Sequence, residues 1–505
     1  MKMVKSLLLG SAAGVVAVSG AQAADLPVKA QKVEYVRICP QYGKGFFYLP
    51  GSSDVCLSIT GFVRFQVNVS NGTSSAGATP SMFAAPQGAD VRTAGNILNL
   101  RARYMMTFDS RAQTAYGTLR AVATAGFTYE GNPATTGAYA NRGFIQIAGF
   151  TMGRAVSFFD FYSAPATSYH ATMTGDTGDG GWTVFGYTAQ FGGGVSASIA
   201  AEDPRRTSIV NTAITAAGTL PGGGFGGSIS VSALGGVGYT NSYAHLRMPD
   251  VVANLRWDQP WGSIQVMGAL HDVASGYYVN PGTLPQVGTG SGHPSAELGW
   301  AVGAGVKLNL GQNRLDSQFT YTQGALRYLI HAQSATGYYQ FGRGADGEFG
   351  YGIFSDGVFA GPGSSIELTT GWSVNLSYDH RWSPTLKTSI YGSYISVGYS
   401  GTANAWLCAA QTGTPAGTGG FAGATFSSPC DQDWKTWYIG SRTQWDVAKG
   451  FYVGVDVLYH KLETANSGMT TAATYSPGTH GTGVYRATDQ SNWSFVFRAH
   501  RDIIP

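Results

Sequence analysis

Five arginines sit where guanidinium groups could act on a solute without reacting with it. Arg64, Arg101, Arg103, Arg120 and Arg142 alternate with apolar neighbours in stretches such as Gly61 to Ser70, GFVRFQVNVS. Successive side chains of a strand point to opposite faces. The wet face of that stretch therefore carries Arg64, Gln66, Asn68 and Ser70, and the oily face Val63, Phe65, Val67 and Val69. After Arg142 the alternation stops in SFFDFYSAPATSYHATMTGDTGDGG, residues 157–181, which brings the carboxylates Asp160, Asp176 and Asp179. Fixed cations on a wall opposite a loop of anions set up a transverse field in water, which orients polar and charged solutes and disfavours apolar ones.

The elements that must hold these groups are strands. Leu98, Leu100, Ala102, Tyr104, Met106 and Phe108 fall on one face of their stretch, with Arg101, Arg103 and Asp109 on the other. A tight turn is expected at Asp109-Ser110-Arg111, followed by a strand over Thr114 to Ala125 that turns Arg120 inward. Its outward set, Ala115, Gly117, Leu119, Ala121, Ala123 and Ala125, is almost free of large side chains. Lipid contact does not require small residues but the close approach of a second protein wall does, so a subunit interface is expected there.

The second half repeats the scheme. Asp316, Gln318, Thr320 and Thr322 oppose Phe319 and Tyr321, and Asp456 and His460 oppose Val453, Val455, Val457 and Tyr459. Connections alternate between short turns, such as Gly311-Gln312-Asn313 and Ser383-Pro384, and long polar loops near 71–94, 203–248, 273–295, 329–368, 401–432 and 465–489. Counting strands between these marks gives about sixteen, enough to close around an aqueous lumen. No helical segment supplies a core for the oily faces. The expected fold is thus an all-β transmembrane barrel, antiparallel and 16-stranded, with lipid outside and water inside.

Composition agrees. Charged residues make up 12% of the 505, half the ~25% usual in soluble proteins, against 43% hydrophobic residues. After the N-terminal leader no apolar run reaches the ~20 residues of a membrane helix. Lys2 and Lys5, the apolar run Leu7 to Val18 and Ala21-Gln22-Ala23 read as a signal peptide over 1–23. Residues 24–54 are expected to form a periplasmic lead-in and 55–505 the barrel. A net charge of +3 gives no ground for a nucleic-acid partner. Export favours disulfides. Of the three pairings open to four cysteines, Cys39 to Cys56 and Cys408 to Cys430 are preferred because each pair sits in one loop-like stretch. Zinc is the rival, but neither pair has C-x-x-C spacing or an adjacent His.

Several stretches resemble the general-diffusion porins of alphaproteobacteria. They are VEYVRICPQYGKGFFYLPG with the following Cys56, FIQIAGFTMGRAVSFFDFY, DVVANLRWDQPWGSIQVMGALHDV, GWAVGAGVKLNL and SRTQWDVAKGFYVGVDVLYHKL. The resemblance spans Val33 to Arg501. It implies a homotrimer of sixteen-stranded barrels in outer-membrane lipid including lipopolysaccharide, each with its third loop, about 157–181 here, folded inward as a constriction, passing small hydrophilic solutes and ions with no cofactor. The tail departs from the family pattern: HRDIIP has Ile503 where an aromatic is expected, which bears on assembly more than on the fold.

Other signals carry less. Gly222, Gly224 and Gly227 spell G-x-G-x-x-G in a glycine-rich loop without a strand-turn-helix context. His293-Pro294-Ser295 has the His-to-Ser order of outer-membrane phospholipases, but in a Gly/Pro loop rather than on a strand, so no enzyme is expected. The nine histidines lack metal-ligand spacing. The competing readings are a substrate-selective channel of the same architecture, an energised receptor, for which Ala24 to Val55 is too short to form a plug, and an adhesive surface barrel.

Overall fold

A computed structural model describes residues 37–503 apart from 50, 52–53, 71–97, 131–134, 171–173, 213–227, 231–237, 242, 245, 277–292, 332–337, 343–346, 362, 413–424, 427–428 and 472–482. The expected signal peptide and the G-x-G-x-x-G glycines lie outside the described residues.

Alternating sequence becomes sixteen strands joined edge to edge. They are β1 (Val55–Ser70), β2 (Leu98–Thr114), β3 (Gly117–Glu130), β4 (Thr135–Ile147), β5 (Phe150–Ala155) and β6 (Trp182–Gly192). Then come β7 (Val195–Glu202), β8 (Asp250–Gln259), β9 (Gly262–Val273), β10 (Glu297–Leu310) and β11 (Asn313–Gln323). The last five are β12 (Thr370–Arg381), β13 (Leu386–Gly398), β14 (Trp434–Ala448), β15 (Phe451–Glu463) and β16 (Gln490–Asp502). Each pairs antiparallel with its neighbours, and β16 closes the ring on β1, Ser494 to Asp502 against Phe62 to Ser70. Below that pairing the free edge of β1 is taken by a short strand, Phe46–Tyr48, against Cys56–Ser58. The Cys39–Cys56 disulfide holds this strand in place.

The two faces match the sequence parity. Val63, Phe65, Leu98, Leu100, Tyr104 and Phe108 are exposed on the outside, while Gln66, Asn68 and Arg101 are buried within. Two-residue turns close one end, as at Ala148 (φ 49°) and Gly149 (φ 86°) between Ile147 and Phe150. Two successive positive φ values match the right-handed twist of the flanking strands. One expected turn is displaced. β2 runs on through Asp109-Ser110-Arg111 to Thr114, so the turn falls at 115–116 and Ala115 belongs to it rather than to a strand. The charges do not break the strand because Asp109 accepts hydrogen bonds from Arg111 (2.8 Å) and from Arg120 across the pair (2.9 Å).

The lumen is not wet throughout, contrary to the simple two-solvent reading. Toward the long-loop end, inward-facing Tyr391, Ile395, Val397, Tyr438, Leu458 and Leu462 are buried under apolar loop residues including Phe349, Ile353, Phe354 and Met469. The loops after β11, β13 and β15 thus fold into the mouth over β13–β15. The Cys408–Cys430 disulfide ties helix α1 (Gly401–Thr412) to the chain entering β14.

The third loop, 156–181, folds inward along the wall. From its base the hydrogen bonds run strand by strand: Ser157 Oγ donates to Glu202, Asn254 to the Phe158 carbonyl, and the Phe161 and Tyr162 amides to Gln318. Ser389 and Arg442 then donate to the Thr167 and Ala166 carbonyls. Gly305 makes room for this path, since a Cβ there would lie 2.2 Å from the Phe161 ring. The far end is fixed by Asp456, fully buried, which accepts from the Tyr169 amide (2.5 Å), Ser168 Oγ (3.2 Å) and Tyr391 Oη (2.6 Å), with His170 Nδ1 at 3.3 Å.

Replacing Asp456 with Ala leaves those buried donors without an acceptor. Such a loss costs about 3 kcal/mol, and it should free the loop's far end. We expect limited proteolysis to gain cuts within 160–170 while the strand fragments stay intact. An unchanged digest would mean that the loop is held elsewhere.

Candidate functional site

What the loop leaves open determines the site. It follows the inner faces of β7–β16 and returns against Arg142 of β4, so the uncovered wall is that of β1–β3, where the sequence put Arg64, Arg101 and Arg103. Arg64 and Arg103 are direct cross-strand neighbours, and Gln66 lies between Arg101 on β2 and Arg498 on β16. Inward side chains at such positions are about 5 Å apart at Cβ, so these cations form one cluster. Aromatic faces and neutral acceptors make the crowding tolerable. Arg64 lies 4.4 Å from the Phe62 ring and donates to His500 Nδ1 (3.4 Å). Arg103 lies 4.2 Å from the Tyr139 ring and donates to Thr128 (2.9 Å). Arg101 is buried and faces Glu130 in the register.

The other expected cations divide. Arg142 meets the loop, donating to the Gly178 carbonyl at 2.8 Å. Arg120 sits near the turn at 115–116, bonded to Asp109 and Gln146, and is not part of the cluster.

The loop carboxylates do not face this wall as expected. Asp160 Oδ1 pairs with the buried Arg205 (3.0 Å), and Oδ2 accepts from the Thr177 amide (2.7 Å) and hydroxyl. Asp176 accepts from the Ala164 amide at 2.7 Å. Both bridge the loop's outgoing and returning arms, Asp160 to Thr177 and Asp176 to Ala164. Asp179 lies in the short helical turn Gly178–Gly180, and its side chain is outside the described residues.

Two cations beyond the expected five belong here. Arg498 lies 3.9 Å from the Tyr169 ring and donates to that residue's carbonyl (3.2 Å), and Arg442 stands 5.3 Å from the same ring. Inward parity on β14 and β16 would have found them. Their link to Tyr169 could not have been found, since it depends on where the loop ends.

On the outside, Leu119, Ala121 and Ala123 face away from the lumen along β3, which Gly117 begins. Among the described residues no cluster of three or more His, Cys, Asp or Glu could hold a metal ion. Away from the strands, burial pushes the Tyr328 phenol well above its usual range; its hydroxyl donates to Asp250 at 2.8 Å.

Known proteins give the architecture a family. The Porin_2 family model, described as a porin subfamily, matches residues 25–493. The chain is 32% identical over 286 residues to Porin Omp2b of Brucella melitensis and to that of Brucella abortus. Those alignments cover 54% of this chain and 66% of each relative, just under two thirds of the Brucella proteins. The crystal structure of the outer membrane channel DcaP of Acinetobacter baumannii matches with a TM-score of 0.53 at 13% identity, over 90% of this chain and 99% of that one. At that identity the likeness speaks for the fold alone. With a family model covering nearly its whole length and a closed sixteen-stranded barrel to match, the chain belongs to the Porin_2 family of outer-membrane porins.

Proposed function

We propose that this barrel is a general diffusion channel, passing small hydrophilic solutes and ions down their gradients across the outer membrane and favouring anions at its waist. The observation that carries this reading is the division of the inner wall. The third loop lines one side, its Asp160 paired with Arg205 and its Asp176 accepting from the Ala164 amide, and Arg64 and Arg103 stand on the other beside Gln66, with Arg498 between them and the loop's Tyr169. A charged ring at a narrowing acts on every ion that passes, in a confined space where screening is weaker than in bulk water. No energy source or covalent step is required.

We further propose a homotrimer that meets along β3. Its small outward residues Ala121 and Ala123 would let a second wall approach closely. The tryptophans support this side. All eleven follow residue 181 in the sequence, and those facing outward from strands, Trp257, Trp300, Trp372, Trp437, Trp445 and Trp493, lie on β8–β16. Tryptophan marks the two membrane interfaces. An arc from β1 to β6 without outward tryptophan is one that protein, rather than lipid headgroups, would cover.

Two outcomes follow. Neutralising Arg101 and Arg103 to Gln should shift reversal potentials in planar bilayers toward cations, with single-channel conductance retained; an unaltered permeability ratio would move the filter elsewhere. The pair Ala121→Trp and Ala123→Trp should convert the oligomer on a native gel to monomer, and a persisting oligomer would exclude β3 from the interface.

A further inference from the structure

Where the arginine wall meets the end of the third loop, the inner faces of β1, β16 and β15 carry a run of rings. The Phe62 and His500 rings lie 4.7 Å apart, His500 stacks on Tyr452 at 4.6 Å with 13° between the planes, and Tyr452 stacks at 6.3 Å on Tyr169 of the loop. Arg64 closes the run, 4.4 Å from the Phe62 ring. Rings held on both sides fix the plane of the imidazole between them. Its two nitrogens are therefore aimed at particular partners.

Both nitrogens are engaged. Arg64 Nε donates to His500 Nδ1 at 3.4 Å, and Asp502 Oδ1 lies 3.0 Å from Nε2. A guanidinium can only donate and an ionised carboxylate can only accept. The arrangement therefore fits the neutral imidazole with its proton on Nε2. A second proton would make Nδ1 a donor as well. The bond from Arg64 would then be lost, while the bond to Asp502 would gain an ion pair.

The charges around the ring oppose one another. Arg64, directly across on β1, and Arg498, two residues back on the same face of β16, disfavour a positive ring. Asp502, on that same face, favours one. Tyr452, opposite on β15, and Tyr169 of the loop are the other titratable groups packed against it, and both present ring faces. His500 is buried, but Arg64 is only half-buried and the Asp502 side chain is 46% exposed, so water reaches the partners of both nitrogens.

We infer that His500 is a specificity-determining residue that couples the channel's ion preference to pH: neutral while it accepts from Arg64, and cationic once Arg64 is released. This inference rests on the reading of the Arg64 and Arg103 wall as a waist that favours anions. A positive charge gained at position 500 and a guanidinium freed from the wall both raise the potential that passing ions meet. Anion preference should therefore rise as pH falls through the imidazole range, about 5 to 8.

The test is the reversal potential of the full-length refolded channel in planar bilayers under a potassium chloride gradient, from about pH 8 to about pH 5. The chloride to potassium permeability ratio is expected to rise about twofold on acidification, the effect of one added charge near the path in screened water. His500→Gln keeps a polar side chain between Arg64 and Asp502 and should flatten the profile. Asp502→Asn removes the carboxylate that favours the charged ring, so the midpoint should move to lower pH by about one unit. His380→Gln, on β12, is expected to keep the parental profile, and matching circular dichroism would show that each variant folds. A parental ratio that stays flat over this range, or an acid-dependent rise that persists in His500→Gln, would overturn the assignment. An acid-dependent rise lost in His500→Gln, on a channel that prefers potassium at the alkaline end, would support His500 and contradict the anion-favouring waist.

Discussion

Hydrocarbon gives a backbone amide nothing to bond to, and every feature of this chain follows from meeting that constraint with strands. An unpaired N–H or carbonyl in a bilayer costs several kcal/mol, so a sheet there has to have no edge. The ring closes where β16 pairs with the upper half of β1. Below that pairing the N-terminal strand Phe46–Tyr48 takes over the same edge, held by the Cys39–Cys56 disulfide. Closure then forces the two faces into different surroundings, which is why charge can be so scarce overall yet concentrated inside.

The interior is organised by buried carboxylates. Asp456 fixes the far end of the third loop, Asp160 its base, and Asp356 gathers the Thr207 and Leu326 amides and the Tyr243 hydroxyl between two mouth loops. Each accepts several bonds, and each is separated by many residues from the groups it holds. Asp160 has its charge offset by the buried Arg205, whereas the amides and hydroxyls on Asp456 and Asp356 satisfy those carboxylates without cancelling their charge.

Much of this was legible in the sequence. Parity alone assigned Arg64, Arg101 and Arg103 to the lumen and Val63, Phe65 and Tyr104 to the exterior, because period-two alternation survives any loop arrangement. Local spacing favoured the pairings now seen at Cys39–Cys56 and Cys408–Cys430. The limits were equally physical. The turn expected at Asp109 fell several residues later, since an inward charge pair reads locally like a polar turn. The inward residues Tyr391, Leu458 and Leu462 could not be recognised as dry, because parity says which face a side chain takes and not what has folded against it. The roles of Asp160 and Asp176 depended on contacts within a non-alternating loop, where no periodicity guides a reading.

The central claim is that odd and even positions of one strand meet different solvents. Spin labels placed singly along residues 98–109 of the refolded barrel in lipid vesicles test it most directly, through relaxation by oxygen and by a water-soluble nickel chelate. Labels at 98, 100, 102, 104, 106 and 108 should favour oxygen, with the intervening sites shielded from it. A smooth profile without two-residue swing would contradict the barrel and the lumen together.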